Sequence, residues 1–192
     1  LAHPNDNKWV RADYQCIGSK MKNSIKSIEI KAFGGPEEME LVEKPLPVPG
    51  PGEVRVRLAA IGVNLIDTYH RSGLYPISLP SGLGVEAAGE VEAVGDGADL
   101  PIGTRVAMSM AMGTYAEAIV LPAAALIALP SSITFEQAAA VLLKGMTVDY
   151  LFHDTFPVKR GDTILFHAAA GGVGLIACQW ARHIGVNPVS YT

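Results

Sequence analysis

A glycine-rich segment in the last third of the chain has residue types and spacing suited to binding phosphate. It runs Ala169-Ala170-Gly171-Gly172-Val173-Gly174, a G-x-G-x-x-G frame with alanine in its first position. Residues 163–167 before it form a short apolar run typical of a strand buried on both faces, and an amphipathic helix is predicted after it, up to Ile184. In such a loop, backbone amides approach a pyrophosphate at the positive end of the helix. The spacing predicts dinucleotide binding by residues 170–174, the alternative being a tight turn that needs glycine only for packing.

The side chain that chooses between NAD and NADP is expected about 20 residues beyond the glycine loop, at the end of the next strand. Counting from Gly171 leads to Tyr191, one residue before the end of the chain. The sequence therefore does not determine which of the two cofactors is preferred. The selectivity residues are expected beyond Thr192.

A second block combines an amide, a carboxylate, a hydroxyl and phenols within a short stretch. It runs Asn64-Leu65-Ile66-Asp67-Thr68-Tyr69-His70-Arg71-Ser72-Gly73-Leu74-Tyr75-Pro76 and is followed by a segment rich in glycine and alanine at residues 80–89. Together with residues 165–181 around the glycine loop, these segments closely resemble the zeta-crystallin-like NADPH:quinone oxidoreductases, which belong to the medium-chain dehydrogenase/reductase superfamily. The resemblance extends from about Ile25 to Val186.

The resemblance implies a fold, a cofactor, a substrate and a set of site residues. The implied fold is α/β with a β-rich part, namely a GroES-like β-barrel domain followed by an incomplete Rossmann (doubly wound) domain. The implied reaction is the reduction of a quinone by NADPH, without zinc, in a cleft between the domains. The acceptor would face Asn64, Tyr69 and Tyr75, whose amide and phenol groups can hydrogen-bond a quinone oxygen. The residues implied to contact the cofactor are Leu65, Ile66, Asp67, Thr68 and Tyr69, and, at the domain junction, Lys144, Thr147 and Tyr150.

Several of these residues also have ordinary structural interpretations. Asp67 can bond the amides of its own loop, Thr147 can lie on a plain helix surface, and Tyr75 can be a packed loop aromatic. His167 and Cys178 are expected to be structural, the first through a backbone hydrogen bond and the second as a buried thiol.

The zinc-dependent branch of the superfamily provides a residue-by-residue test for a metal site. Its ligands are a cysteine and two histidines, and this sequence has Asn64, Tyr69 and Val85 at those positions. An amide, a phenol and an isopropyl group lack the thiolate and imidazole donors that Zn²⁺ prefers. The cysteine-rich lobe of a structural zinc site is also missing, since the chain has 2 cysteines. The sequence predicts no metal, and it predicts that His70 lies at the surface.

The block at residues 64–76 has to be positioned by β-structure. Alternating apolar and charged residues predict strands, most clearly at residues 54–58. Further strands are predicted near residues 28–32, 39–43, 89–94, 105–108 and 115–121, with glycine, proline and aspartate turns between them. The alternating prolines of residues 45–51 predict an extended surface connection, because proline has no amide to donate. Several short strands of this kind indicate a barrel or a sandwich.

The pattern becomes helical at Thr134, which forms a capping box with Gln137. An alanine-rich helix is expected as far as Lys144 and Gly145, followed by a second helical stretch to Phe152. These changes divide the chain into a GroES-like catalytic domain at residues 21–143 and the start of an NADP-binding Rossmann domain at residues 144–192. Residues 1–20 are interpreted as a leader or an expression-derived extension.

Charge and composition exclude several classes of function. The 192 residues include 15 basic and 19 acidic side chains, which give a net charge of -4 without long charged runs. This distribution argues against nucleic acid or an anionic membrane as a partner. No apolar stretch approaches the roughly 18 residues of a membrane span. Because the sequence shows no export signal and its cysteines are far apart, a cytoplasmic location is expected.

The length leaves a second hypothesis beside the enzyme. A doubly wound domain has two βαβαβ halves, whereas this chain supplies one strand, one helix and the start of another strand. It is therefore interpreted as truncated after the first βαβ segment of the Rossmann domain. Weak cofactor binding and severely reduced turnover are expected. A homodimer is usual in the family but doubtful for this chain. The alternatives are a non-catalytic GroES-like remnant, and an enone or alkenal reductase on the same scaffold.

Overall fold

The computed structural model describes residues 23–190. The interpretations of residues 1–20 and of Tyr191 concern positions outside this range. Within it, no helix combines the length and the apolar character needed to cross a membrane. The helices and strands follow in the order β1 (Ser24–Ile30), β2 (Glu40–Pro45), β3 (Glu53–Gly62), α1 (Leu65–Ser72), β4 (Ser81–Gly82), β5 (Glu86–Val94), β6 (Arg105–Ser109), β7 (Ala118–Pro122), β8 (Ile127–Ala128), α2 (Phe135–Tyr150), β9 (Thr163–Leu165), α3 (Gly172–Ile184) and β10 (Asn187–Val189).

A five-stranded antiparallel sheet, in the order β7-β3-β5-β6-β8, forms the larger part of the fold. Strand β3 alternates as predicted, because successive side chains point to opposite faces, whereas β5 and β6 contain runs of three or more buried residues. Val54 and Val56 of β3 are fully buried. Arg55 and Arg57 beside them pair with Glu92 of β5. The core under this sheet also holds Ala87, Val91, Val106 and Met108.

A second antiparallel sheet, in the order β2-β1-β4, lies beside the first. Backbone hydrogen bonds join the two, with the Ile28 N–H donating to the Tyr115 carbonyl at 2.8 Å. The proline-rich residues 46–50 contain no strand or helix, as predicted. This segment is tied to the larger sheet because Arg55 Nη1 donates to the Pro47 carbonyl at 2.8 Å.

Helix α2 begins at the predicted capping box. The Gln137 N–H donates to Thr134 Oγ1 at 3.1 Å, and the Thr134 N–H donates to Gln137 Oε1 at 2.9 Å. The prediction of two helical stretches meeting near Gly145 is wrong, because α2 is one helix over Phe135–Tyr150. A single glycine costs a helix only about 1 kcal/mol, which packing on either side of α2 offsets. A π-helical turn, Leu151–Thr155, follows directly.

The strands β9 and β10 form a separate two-stranded parallel sheet, connected by α3. Helix α3 ends, as predicted, at Gly185, whose φ of 82° is the left-handed conformation that favours glycine. Among the described strands β10 pairs only with β9, so Pro188 lies in an edge strand, where a missing amide is tolerated.

Strand β9 is less buried than its apolar sequence predicts. Ile164 packs against the cluster formed with α3, whereas the next residue, Leu165, is 56% exposed. Because neighbouring residues of a strand face opposite sides, the helices cover only one face of β9. The prediction that residues 163–167 are buried on both faces is therefore wrong for the described part of the chain.

Helix α2 joins two parts of the molecule that have separate cores. We call residues 24–128 the β-rich region and residues 146–189 the α/β region. Near its start, α2 packs Ala138 and Ala139 against alanines of β5 and β6. Near its end, Val148 packs into the cluster of the α/β region, which also contains Phe152, Ala177, Ala181 and Val186.

Candidate functional site

A cleft of about 620 Å³ lies where α1, the end of β6, α2 and the start of α3 meet. It brings together residues that are predicted from all three segments, namely Asn64, Leu65, Ile66, Lys144, Thr147, Tyr150 and Val173. Sequence reasoning did not assign to the site the remaining residues that line it, Ser109, Met110, Leu143, Met146 and Asp149.

Asn64 occupies the position directly before α1, where its backbone and side chain have different partners. Its backbone N–H donates to Asp67 Oδ2 at 2.8 Å, which caps the start of the helix. Its side-chain Nδ2 donates to Glu86 Oε2 at 2.8 Å, and its Oδ1 accepts from Lys144 Nζ, also at 2.8 Å. The amide is therefore held from both ends at the edge of the cleft.

Glu86, at the start of β5, is the central residue of this polar network, and sequence reasoning missed it. Its side chain is 0% exposed. Oε1 accepts the Leu143 N–H at 2.8 Å, while Oε2 accepts from Asn64 and, at 3.1 Å, from Lys144. The available signal was a lone carboxylate in the otherwise apolar run of residues 83–89. A buried carboxylate persists only where charged and polar donors satisfy it, which these three do.

Lys144 connects the polar network to the glycine loop. It lies on α2, and its ammonium reaches both Asn64 and Glu86. Its methylene chain passes over Gly172, since a Cβ built at position 172 would lie 3.0 Å from Lys144 Cε and 3.1 Å from Cδ. The structure therefore places this predicted residue at the junction of the two regions, as expected.

The glycine loop has several of the features that a phosphate site needs, although the Gly171 N–H donates to the Ala168 carbonyl at 2.8 Å. Gly171 is the N-cap of α3 and makes no side-chain cap, and the first turn carries no acidic residue, so its amides face no competing anion of their own helix. At Gly174 a Cβ would lie 2.5 Å from Ala169 Cα, which only glycine avoids. Val173 lines the cleft. Ala170 and Gly172 are exposed beside it, so the loop can present its backbone to a dinucleotide.

Asp67 is buried and does not line the cleft. Its Oδ2 accepts from the Asn64 N–H and, at 2.7 Å, from the hydroxyl of Tyr115. Burial, together with this hydrogen bond and the negative charge of Asp67, raises the pKa of Tyr115 well above its usual value. These contacts support the interpretation of Asp67 as a residue that holds its own loop.

Tyr69 and Tyr75 pack edge to face, with ring centroids 5.3 Å apart and planes at 65°. Neither ring lines the cleft, and Tyr75 is 51% exposed. Thr68, the other predicted member of this segment, uses its hydroxyl to donate to the Leu65 carbonyl at 2.7 Å. Both tyrosines therefore lie on α1 and the loop after it, beyond the residues that form the cleft wall.

Three smaller predictions have mixed outcomes. His70, expected at the surface, is buried. Its ring centroid lies 6.3 Å from that of Tyr75. Cys178 is partly exposed and is not fully buried as expected. The Thr147 hydroxyl donates to the Leu143 carbonyl at 2.8 Å, although the residue itself lines the cleft.

Methionines form part of the apolar wall of the cleft. Met110 is exposed and has a φ of 61°, a left-handed conformation that side chains other than glycine rarely adopt. Met146 lines the same space, and its sulfur accepts a weak hydrogen bond from Ser109 at 3.5 Å. Met108, two residues earlier, is instead fully buried in the core. Within residues 23–190, no group of His, Cys, Asp and Glu side chains could hold a metal ion.

Comparisons with known proteins agree with this arrangement. The family profile of the alcohol dehydrogenase GroES-like domain matches residues 50–131. A quinone oxidoreductase of Pseudomonas aeruginosa is 57% identical over 165 residues, which make up 84% of this chain and 51% of that protein. A 2-haloacrylate reductase of a Burkholderia species is 44% identical over 164 residues, or 81% of this chain and 49% of that protein.

Solved structures extend the likeness to the fold. The Escherichia coli quinone oxidoreductase complexed with NADPH superposes with a TM-score of 0.84 at 49% identity, covering 86% of this chain and 52% of that one. The chain thus spans about half the length of the curated relatives it matches. These findings confirm the resemblance drawn from the two motif blocks, and they confirm a GroES-like part followed by part of a Rossmann-like sheet.

Proposed function

We propose that the chain belongs to the quinone oxidoreductase family, which it resembles over about half of its relatives' length, and that it reduces a quinone with NADPH and without a metal ion. The observation that carries the proposal is the cleft, which brings the Asn64 amide, Lys144 and the first turn of α3 to one space of about 620 Å³. When bound, the nicotinamide supplies the hydride, so the protein has to bind, orient and shield the reactants.

Each side of the cleft has a distinct task in this proposal. The glycine loop of residues 170–174 binds the pyrophosphate at the N-terminus of α3, through amides other than that of Gly171, which donates to the Ala168 carbonyl at 2.8 Å. Leu65, Ile66 and Val173 form apolar surface against the cofactor, while Thr147 and Tyr150 border it on α2. The methionine and leucine side chains of the wall exclude water from the reacting atoms, which strengthens the polar contacts that remain.

The acceptor side rests on Asn64. Its Nδ2 carries two hydrogens, and Glu86 takes one of them, which leaves the second for a carbonyl oxygen in the cleft. Such a donor stabilises the negative charge that develops on the oxygen as the hydride arrives. Tyr69 and Tyr75 remain proposed acceptor contacts, as an edge-to-face pair that would have to receive a quinone at the outer end of the site. Asp67 and Thr68 remain proposed cofactor contacts through their backbone.

The proposed division into residues 21–143 and residues 144–192 is supported by the packing of α2. Before Lys144 the helix buries Ala138 and Ala139 against the β-rich region, and after it the helix buries Val148 in the α/β region. The boundary therefore lies inside a continuous helix, at the residue that also bridges the polar network. A homodimer and a cytoplasmic location belong to the same proposal at the family level.

Titration of NADPH fluorescence against the 192-residue chain, followed by NADPH consumption with a simple quinone, tests the proposal. We expect weak but saturable binding of NADPH. In Gly174→Ala the affinity for NADPH should fall at least about tenfold, because the added methyl displaces the loop backbone. Gly145→Ala is the matched control, since its Cβ would only meet Val141 at an ordinary 3.5 Å. Absence of saturable binding would contradict the cofactor site, and binding without quinone reduction would favour the non-catalytic alternative.

An enone or alkenal reductase is the second candidate function, favoured by the likeness to a 2-haloacrylate reductase. The same cleft serves both reactions, since each needs a hydride donor and a hydrogen bond to a carbonyl oxygen. Comparing a simple quinone with an unsaturated ketone and an unsaturated carboxylate as acceptors separates them. If NADPH were oxidised faster with either unsaturated acceptor, that acceptor would take the place of the quinone in the proposal. The proposed cofactor site would stay the same.

A further inference from the structure

We propose that Glu86 is a positioning residue for the acceptor, which holds the amide of Asn64 in one orientation and couples it to the glycine loop through Lys144. The inference deepens the function proposed above and rests on it. It begins from the burial of Glu86, whose side chain is 0% exposed at the junction of the two regions. An isolated carboxylate in such a place is strongly unfavourable, so its three donors have to be held in place around it.

The orientation of the Asn64 amide follows from the charges on either side of it. The Glu86 carboxylate only accepts hydrogen bonds, so it takes the NH₂ group of Asn64. The Lys144 ammonium only donates, so it takes the amide oxygen. A reversed amide would set oxygen against carboxylate and NH₂ against ammonium, and both hydrogen bonds would be lost. Glu86 and Lys144 together therefore decide which group Asn64 presents to the cleft.

The same network extends to the glycine loop. Because the methylene chain of Lys144 lies over Gly172, a side chain at position 172 would press on the lysine that reaches Glu86. An alanine there would meet Lys144 Cε at 3.0 Å, and the lysine would have to move by a few tenths of an ångström. A displacement at the cofactor side is thereby transmitted to the acceptor side through one lysine.

A purely structural carboxylate would behave differently. Glu86 Oε1 accepts the Leu143 N–H at 2.8 Å and so ties α2 to β5. If that tie were its only role, substitution would lower stability without reorienting Asn64. It would also lower kcat/KM for the quinone and the affinity for NADPH to the same extent. The decisive measurement is therefore made on the Asn64 amide itself.

The first experiment compares Glu86→Gln with Glu90→Gln in the 192-residue chain by NMR of ¹⁵N-labelled side-chain amides. Glu90 lies on the same strand and is exposed, which makes it the matched control. The Asn64 signals are those that disappear in Asn64→Ala. We expect Glu86→Gln to shift them and to speed their exchange with water, while Glu90→Gln leaves them in place. Unchanged Asn64 signals in a folded Glu86→Gln would overturn the proposal.

Gly172→Ala decides the question if Glu86→Gln fails to fold, because it keeps every polar group of the network. We expect its added methyl to move Lys144 and so to shift the Asn64 signals. Gly145→Ala, on the helix that carries Lys144, should leave those signals unchanged. Asn64 signals that stay in place in Gly172→Ala would overturn the coupling between the loop and the acceptor side.

Kinetics supply the functional arm. In Glu86→Gln we expect kcat/KM for the quinone to fall at least about tenfold, because a misplaced donor costs rate, while the NADPH dissociation constant changes less than about twofold. Equal losses in both would overturn a positioning role. If the unsubstituted chain reduces no quinone, the proposed function fails, but the NMR comparison still decides whether Glu86 orients Asn64.

Discussion

The two regions on either side of the cleft differ in the size of the sheet and of the core that each of them builds. In the β-rich region, Val56, Val106 and Met108 are fully buried beneath a five-stranded sheet. In the α/β region, the described sheet has two strands, and large apolar side chains of its helices, strands and turns remain open to solvent. They include Phe156 and Leu165, and the β-rich region has exposed apolar side chains as well, such as Leu41, Val63 and Ile102. Among the described residues, the larger core, and with it the larger share of the free energy from apolar burial, therefore lies on the β-rich side of the cleft.

This difference bears directly on the site. Asn64 and Glu86 belong to the β-rich region, whose own core holds them in place. The glycine loop belongs to the α/β region, whose cluster is small and partly open. Local stability in a protein follows buried contacts, so the acceptor side should be rigid and the cofactor side should open more readily. Helix α2 is shared between them and is the element through which one side affects the other.

The strongest test of this contrast is Phe152→Ala, which removes the largest side chain of the α/β cluster. We expect a loss of about 3–5 kcal/mol of stability, because truncating a buried phenylalanine leaves a cavity. The loss should appear in hydrogen exchange as lower protection of α3 and β10, with β3 and β5 unchanged. Phe156→Ala, at an exposed phenylalanine nearby, should change protection in neither region. Equal loss of protection in β3 would show that the two regions unfold as one unit.

A second test acts on the β-rich region. Asp67→Ala removes the acceptor for both the Asn64 N–H and the Tyr115 hydroxyl, and we expect a loss of about 1–3 kcal/mol. Denaturant unfolding followed by far-UV circular dichroism measures it, with Asp99→Ala at an exposed aspartate as the control. The contrast between the regions predicts that protection of α3 persists in this variant. A selective loss of protection in α3 would reverse the assignment of Asp67 to the β-rich region.

The sequence predicts best the features that depend on neighbouring residues. Alternation along β3, the capping box at Thr134 and the glycine that ends α3 are all local patterns, and each is present in the structure. The family resemblance likewise implied that Asn64, Lys144 and Val173 contribute to one site, and the cleft contains all three. What such patterns cannot supply is the partner of a side chain far away in the sequence.

Glu86 shows why the centre of the network escaped prediction. Its donors come from residues 22, 57 and 58 positions away, so no local window contains them. The prediction for His70 was also wrong, because the residue types of a polar helix do not show which of its side chains the fold covers. Leu165 was predicted to be buried and is exposed, because an apolar strand is buried only on the faces that other elements cover.

The pH dependence of stability offers a smaller, sharper test. The pKa of Tyr115 is raised in the folded protein by burial and by Asp67, whereas the unfolded phenol titrates near about 10. The folded state therefore keeps a proton that the unfolded chain loses, so the stabilisation is complete below about pH 10 and declines above it. The decline is at most about 1.4 kcal/mol per pH unit, lowered further by solvent around the partly exposed ring.

Unfolding measured between about pH 9 and 11 tests this expectation. Tyr115→Phe should remove the decline, whereas Tyr150→Phe, at an exposed tyrosine of the α/β region, should retain it. A decline that persists unchanged in Tyr115→Phe would place the responsible group elsewhere. Because Tyr115 bonds Asp67 within the β-rich region, the alkaline loss should begin there and reach the glycine loop only on global unfolding.

The smallest expected effect comes from the helix that both regions share. Thr134→Ala removes the hydroxyl that accepts the Gln137 N–H, and loss of such a cap costs about 1 kcal/mol. Thr134→Ser keeps an oxygen at the cap and is the matched control. Because α2 packs on both cores, we expect hydrogen exchange to rise at Ala138 and Ala139 first, and at Val148 by a lesser amount. A change in exchange confined to the first turn would show that the loss of the cap does not loosen α2 as far as Val148.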